Sequence, residues 1–318
     1  MLRRSSIQAN DDFFDLGGDP ALAAQLFSEI AKVFGRHLSP VLICSGRTIE
    51  SLAAMLQRPE PLRIPPLLLL KRGSALPAIF IAHGLGDTVL NLFPLTAKIQ
   101  SSNPIYGLQA RGIDGIDKPL TTIEEMAQFH LDAIKQVQPH GPHFLMGYSL
   151  GGLVALEIAQ RLAAAGERVA LLALIDSYPD RRQLGVGQRA LLSFRLAKRR
   201  LWSRRESGSR ETRSQISLIS GNSAQTNQSS PARSVAEQMR ESAYLALRRY
   251  RPRFYPGKIR FVKAEISTDF PSDPVAVWSH LAQQFEVDTI PGDHISMLTT
   301  QFDKLASILT DYIDESHT

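Results

Sequence analysis

The sequence predicts an α/β fold: a doubly wound, mostly parallel sheet with a helical lid insertion and a short helical N-terminal segment. Three observations carry that expectation. Short apolar runs without polar alternation, such as Ala78-Ile-Phe-Ile-Ala82 and Ile105-Tyr-Gly-Leu-Gln109, read as strands buried on both faces, as in parallel sheets. From Pro77 onward these runs alternate with segments of helical periodicity, the order that right-handed crossovers between parallel strands require. One strand, His143–Met146, passes through Gly147-Tyr-Ser-Leu-Gly151 directly into a helix.

Three regions separate along the 318 residues. Residues 1–57 read as a short helical segment, with apolar residues at helical spacing in Ala21–Phe34 and Ile49–Leu56. Residues 58–76 hold Pro59, Pro61, Pro65, Pro66 and Gly73, a linker composition. Residues 77–318 carry the strand–helix alternation. Helix Thr122–Gln138 places Glu124 and Glu125 in its first turn, where the helix dipole favours anions. Helix Leu150–Ala165 stops at Gly166, a residue suited to a left-handed cap. Strands Val169–Ile175, Lys258–Ala264 and Gln284–Ile290 follow, and Gln301–Ile313 reads as the last helix. An insert of about residues 180–256 interrupts the alternation. Gln188–Trp202 is helix-like and basic, Ser203–Ser234 has few apolar anchors and is expected to be mobile, and Val235–Tyr250 is helical again. An insert after a strand's C-terminal end sits above the sheet, where active sites of this class lie. It is therefore expected to be a lid.

Composition narrows the classes. Apolar residues make up 43% and charged residues 21%, an ordinary globular balance. The longest apolar stretch, Ile64–Leu70, is far short of the ~18 residues a membrane helix needs and holds two prolines. Arg3 and Arg4 are not followed by an apolar core, so no secretory signal is visible. The single cysteine, Cys44, excludes an internal disulfide framework, fits a cytoplasmic setting, and is expected to be a buried bystander. The formal net charge of +5 gathers in the insert, from Arg181 and Arg182 through Lys198, Arg199 and Arg200 to Arg213. No nucleic-acid motif or interleaved aromatic accompanies it.

Gly147-Tyr-Ser-Leu-Gly151 matches Gly-x-Ser-x-Gly between a strand and a helix, the context in which α/β-hydrolases raise a nucleophilic serine on a sharp turn. Ser149 is the candidate nucleophile. A serine hydroxyl needs a base, and in this fold the acid and histidine follow the serine in the chain. His37, His83, His130, His140 and His143 precede Ser149. Of the others, His280 reads as part of a helix and His317 lies in the tail, which leaves His294, on a turn after a strand, as the candidate base. Asp176, at the tip of strand Val169–Ile175, is the candidate acid; Asp269 occupies the rival position, and Asp293 is too near His294 in sequence to reach around to its ring. The oxyanion of an acyl-transfer intermediate needs backbone donors. The expected ones are the amides of Leu150, after the nucleophile, and Leu85, in the loop His83-Gly-Leu-Gly-Asp87. His83 is expected to organise that loop.

Taken together, Ile79-Phe-Ile-Ala-His-Gly84, Ile105-Tyr-Gly-Leu-Gln109, Gly147-Tyr-Ser-Leu-Gly-Gly152, Leu174-Ile-Asp-Ser-Tyr-Pro179 and Pro291-Gly-Asp-His-Ile-Ser-Met-Leu298 resemble the type I thioesterase domains of nonribosomal peptide and polyketide synthases. The resemblance covers residues 77–315, supports Asp176 as the acid, and implies a substrate presented as a thioester on a phosphopantetheine arm. Asp11-Asp-Phe-Phe-Asp-Leu-Gly-Gly-Asp19 resembles the second half of a carrier domain, where the next residue is the serine that bears that arm. Here the next residue is Pro20. The segment therefore reads as a truncated carrier, and no cofactor of the chain's own is expected. The acyl group would come from a separate acyl- or peptidyl-carrier protein or from coenzyme A, with the basic lid a candidate docking surface for an acidic carrier. Thioester hydrolysis is the expected reaction; a carboxylesterase or lipase, an acyltransferase or cyclase, and a non-catalytic synthase remnant are the alternatives.

Overall fold

Seven strands form one sheet in the order β1-β3-β2-β4-β5-β6-β7: β1 (Leu67–Lys71), β2 (Ile79–Ala82), β3 (Ile105–Leu108), β4 (His143–Tyr148), β5 (Val169–Ile175), β6 (Tyr255–Ile266) and β7 (Ala282–Asp293). The computed structural model describes residues 7–74, 76–86, 88–185, 187, 189–190, 192–193, 234–267 and 270–317. All neighbouring strands are parallel except β1, which runs antiparallel to β3.

The uninterrupted apolar runs are explained by what covers them. On β2, Ile79 and Ile81 feed the core on one face, with Leu95 of α3 (Phe93–Lys98) and Leu305 and Leu309 of α9 (Phe302–Ser316). Phe80 and Ala82 feed the other, against α4 (Ile123–Val137) and α5 (Leu150–Ala164). With both faces dry, every side chain of β2 is buried; each large one contributes roughly 1.5–3 kcal/mol.

The stretch 58–76, read as a linker, holds an edge strand. Its prolines precede β1, and only Leu68 and Leu70 of that strand are fully buried, the alternation of an antiparallel edge. The N-terminal segment covers this edge. In it α1 (Pro20–Phe34) starts on Asp19, whose carboxylate accepts from the Leu22 amide at 2.7 Å, and ends on left-handed Gly35. After a buried turn, Pro40–Cys44, comes α2 (Ile49–Gln57), capped by Thr48. Phe13, Phe27, Ile43 and Leu52 join the same apolar cluster as Leu68, Leu70 and Leu92. Phe14 stacks on Phe93 at 3.8 Å, Arg72 pairs with Asp12 at 3.1 Å, and Arg47 donates to the Leu69 carbonyl of β1. Cys44 sits within this layer, and burial pushes its thiol up to about 12, which leaves it inert.

Of the insert, the structure describes its beginning and α6 (Val235–Arg249), whose start is closed by reciprocal hydrogen bonds between Ser234 and Glu237. The expected helix Gln188–Trp202 falls largely, and the stretch Ser203–Ser234 almost entirely, outside the described residues, as do Lys198, Arg199, Arg200 and Arg213. His280 is not helical: the helix α7 (Val275–Trp278) ends before it, and His280 occupies the turn that leads into β7. A four-residue helix, α8 (Ser296–Thr299), separates β7 from α9. Among the described residues no helix is long and apolar enough to cross a membrane.

Candidate active site

Ser149 connects β4 to α5 with φ 55° and ψ −122°, a conformation that costs a non-glycine residue on the order of 1–3 kcal/mol. Its neighbours maintain the strain. The Ser149 amide donates to the Ile175 carbonyl at 2.9 Å, and the Gly152 amide donates to the Ser149 carbonyl at 3.1 Å. A Cβ on Gly147 would lie 2.2 Å from the Gly151 carbonyl oxygen, and one on Gly151 would lie 2.4 Å from that of Ala82. The two flanking glycines are therefore what allows the turn to be this tight. Ser149 stands at the N-cap of α5, yet its hydroxyl makes no capping bond to the helix.

Asp176, directly after β5, also has positive φ, 43°. Its amide donates to Val262 on β6 at 2.8 Å, and the residue is only 3% exposed. One carboxylate oxygen accepts from the Ala264 amide at 3.4 Å; the other lies 2.8 Å from Nδ1 of His294. A carboxylate can only accept, so the imidazole carries its proton on Nδ1 and leaves the Nε2 lone pair on the far side of the ring. A buried carboxylate is tolerated when it is paired in this way.

His294 is fixed by more than Asp176. Its ring lies between Tyr148, stacked at 4.6 Å, and Phe270, tilted at 4.6 Å. The Tyr148 hydroxyl donates to the His294 carbonyl at 2.7 Å. Because Tyr148 immediately precedes Ser149, this pair of contacts ties the histidine turn to the serine turn. Sequence reasoning missed both aromatics: an aromatic at the first variable position of Gly-x-Ser-x-Gly was a signal for Tyr148, and nothing around Phe270 was one for it. Asp293 is occupied elsewhere, accepting from the Ser296 amide at 2.9 Å. That backbone bond leads in holding its carboxyl below the usual range. Asp269, the rival acid, lies outside the described residues.

Leu150 opens α5, and Leu85 lies in the loop after β2. A Cβ on Gly84 would lie 3.4 Å from that of Ser149, so this loop abuts the serine. His83 braces it. Its Nε2 accepts from the Ala110 amide at 3.2 Å, which leaves Nδ1 protonated to donate to the Gly84 carbonyl at 2.8 Å. That carbonyl shares a peptide plane with the Leu85 amide, so the amide faces the opposite way. Gly86, at φ 69°, lies under α6: a Cβ there would be 2.4 Å from Cγ of Arg240. Asp87 lies outside the described residues.

A family model for thioesterase domains matches residues 78–313. The chain belongs to the thioesterase domain family. A second model, the phosphopantetheine attachment site, matches residues 2–56 of this thioesterase. Among curated relatives, the dimodular nonribosomal peptide synthase of Bacillus subtilis (strain 168) is 36% identical over 181 residues, 57% of this chain and 8% of that protein. Indigoidine synthase of Dickeya dadantii (strain 3937) is 36% identical over 174 residues, 55% of this chain and 12% of that one. The thioesterase thus spans a small fraction of the length of the relatives it matches. Among solved structures, a four-domain nonribosomal peptide synthetase, AB3403, superposes with a TM-score of 0.63 at 22% identity, covering 98% of this chain and 25% of that one. The type II thioesterase BorB of the borrelidin cluster superposes with a TM-score of 0.56 at 19% identity, covering 77% of this chain and 96% of that one. At such identities the superpositions speak for the fold, and they agree with the α/β-hydrolase architecture.

The residues at the start of α1 do not fit a phosphopantetheine arm. The first position of that helix, next to Asp19, is Pro20, which has no hydroxyl to carry a phosphodiester.

Proposed function

We propose that this thioesterase releases acyl groups from phosphopantetheine thioesters through an acyl-Ser149 intermediate, with His294 as base and Asp176 as the acid that orients it. The observation that carries the reading is the 2.8 Å contact between His294 Nδ1 and the buried Asp176 carboxylate, beside a strained serine in a Gly-x-Ser-x-Gly turn. The Ser149 oxygen attacks the thioester carbonyl as His294 Nε2 takes its proton. The oxyanion that forms is met by the amides of Leu150 and Leu85, each contributing ~3 kcal/mol to the transition state. The C–S bond then breaks, and the thiolate leaves with the proton from the imidazolium. In the second half a water gives its proton to His294 and its oxygen to the acyl carbon, the carboxylic acid departs, and Ser149 recovers its proton. Asp176 stays ionised throughout and stabilises the imidazolium.

The carrier-like segment acts as part of the fold and does not carry the acyl group. Pro20 stands where the arm would be attached, and the segment's apolar residues are built into the hydrolase core. The acyl group then arrives from a separate carrier protein or from coenzyme A. A direct test follows thiol release from short acyl-pantetheine thioesters. The wild type is expected to turn over and Ser149→Ala to lose ~10⁵-fold or more. Equal rates in the two proteins, or a wild type that cleaves oxygen esters while sparing every thioester, would overturn the proposal.

A further inference from the structure

A narrow pocket of about 40 Å³ lies beside the reaction centre; its lining includes Gly84 and Leu150, which flank the serine. Most of its wall is apolar, with Leu108, Phe129, Val154 and Met239 among the lining residues. Three of its lining residues have side chains with nitrogen atoms: His83, Arg111 and His130. Two of these are engaged elsewhere. His83 uses both ring nitrogens on backbone groups, and Arg111 pairs with Asp117 at 3.6 Å. His130, on α4, differs. It is 4% exposed, and its Nδ1 has no hydrogen-bond partner among the described residues. Burial, with a smaller contribution from the neighbouring His83, pushes His130 down to about 3, so its imidazole is neutral.

A buried polar atom without a partner is uncommon and costly. As placed, Nδ1 is shielded, and a turn of the imidazole toward the pocket beside the candidate nucleophile would let a ligand supply the partner. We infer that His130 is a specificity residue of the acyl pocket, selecting a short acyl chain that carries a hydroxyl group. The inference rests on the hydrolase reading above and adds the class of acyl group. A neutral imidazole offers one donor and one acceptor. A hydroxyl, which both gives and accepts, can meet whichever nitrogen faces it. A carboxylate would be poorly met, because a neutral ring brings no charge to offset its desolvation. Size follows from volume. A water needs roughly 10–15 Å³ of such space, so the pocket takes a group of a few heavy atoms.

The test compares butanoyl-pantetheine with each enantiomer of 3-hydroxybutanoyl-pantetheine as substrates of the full chain. The ratio of kcat/KM values, rather than either rate, is the readout. The wild type is expected to favour one hydroxylated enantiomer by roughly ten-fold or more, the scale on which a site built for a hydroxyl rejects the analogue lacking it. His130→Leu is expected to abolish or invert the ratio, and His130→Gln, which keeps a neutral donor and acceptor, to retain part of it. A wild-type ratio within two-fold of unity, or the same ratio in wild type and His130→Leu, overturns the inference while leaving the hydrolase reading intact. A wild type that turns over none of the three thioesters overturns both. Should His130→Leu fail to fold, the wild-type ratio and His130→Gln still decide.

Discussion

Replacing Asp176 by Asn tests the orientation of the base without changing the shape of the site. The carboxamide has the volume of the carboxylate, and its oxygen can keep the contact with the Ala264 amide, now 3.4 Å. Its nitrogen then faces His294 Nδ1 across the present 2.8 Å, donor against donor. The imidazole relieves that clash by moving its proton to Nε2, where the lone pair that should deprotonate Ser149 is then lost. An acid-to-amide change of this kind in a serine triad lowers kcat ~10⁴-fold, which at 1.36 kcal/mol per factor of ten is about 5 kcal/mol of transition-state stabilisation. Thiol release from an acyl-pantetheine thioester should show the loss in kcat with KM little changed, in a protein whose melting curve remains cooperative. An Asp176→Asn enzyme within ten-fold of wild type would refute this account of the acid. If Asp269→Asn were instead the variant that lost activity, the acid would be the rival residue.

Three further outcomes are expected. Tyr148→Phe keeps the ring on His294 but removes the hydroxyl that holds its carbonyl at 2.7 Å. The loss of about 1 kcal/mol should lower kcat roughly five-fold and leave KM alone, and an unchanged kcat would show the tie to be idle. The wild-type chain, incubated with coenzyme A and a phosphopantetheinyl transferase, should gain no mass; an adduct mapped to residues 9–57 would contradict the reading of Pro20. His130 imposes a pH dependence on stability. Its folded value is depressed from 6.5 to about 3, so below pH 6.5 the unfolded chain binds the extra proton and stability falls, levelling off only near pH 3. The drop from pH 8 to pH 5 is about 2 kcal/mol from this group. Denaturant unfolding at the two pH values should show that component in wild type and not in His130→Leu; equal slopes would refute it.

The interior of the sheet could be read from the sequence because burial on both faces leaves uninterrupted apolar runs. Val169–Ile175 is a strand over the residues the pattern marks. The strand-to-helix turn was equally visible, since only glycines fit at 147 and 151. What escaped was set by tertiary partners. β1 hides behind prolines and buries only alternate residues, because an antiparallel edge has one covered face. His280 sits beside a helix of four residues, too short to show a period. Phe270 reaches His294 from a loop, and no local pattern announces such a contact. Chain order and strand tips single out Ser149, Asp176 and His294 as candidates, and the structure brings Asp176 and His294 within 2.8 Å of each other. The contacts that fix them, Tyr148 above all, depend on which turns meet above the sheet.

The most direct test of the central claim is to treat the folded chain with a fluorophosphonate and locate the phosphonylated residue by peptide mass spectrometry. One adduct is expected, on Ser149, lost in Ser149→Ala and slowed at least a hundred-fold in His294→Ala. Labelling of a different residue, or no labelling of a chain that melts cooperatively, would contradict it.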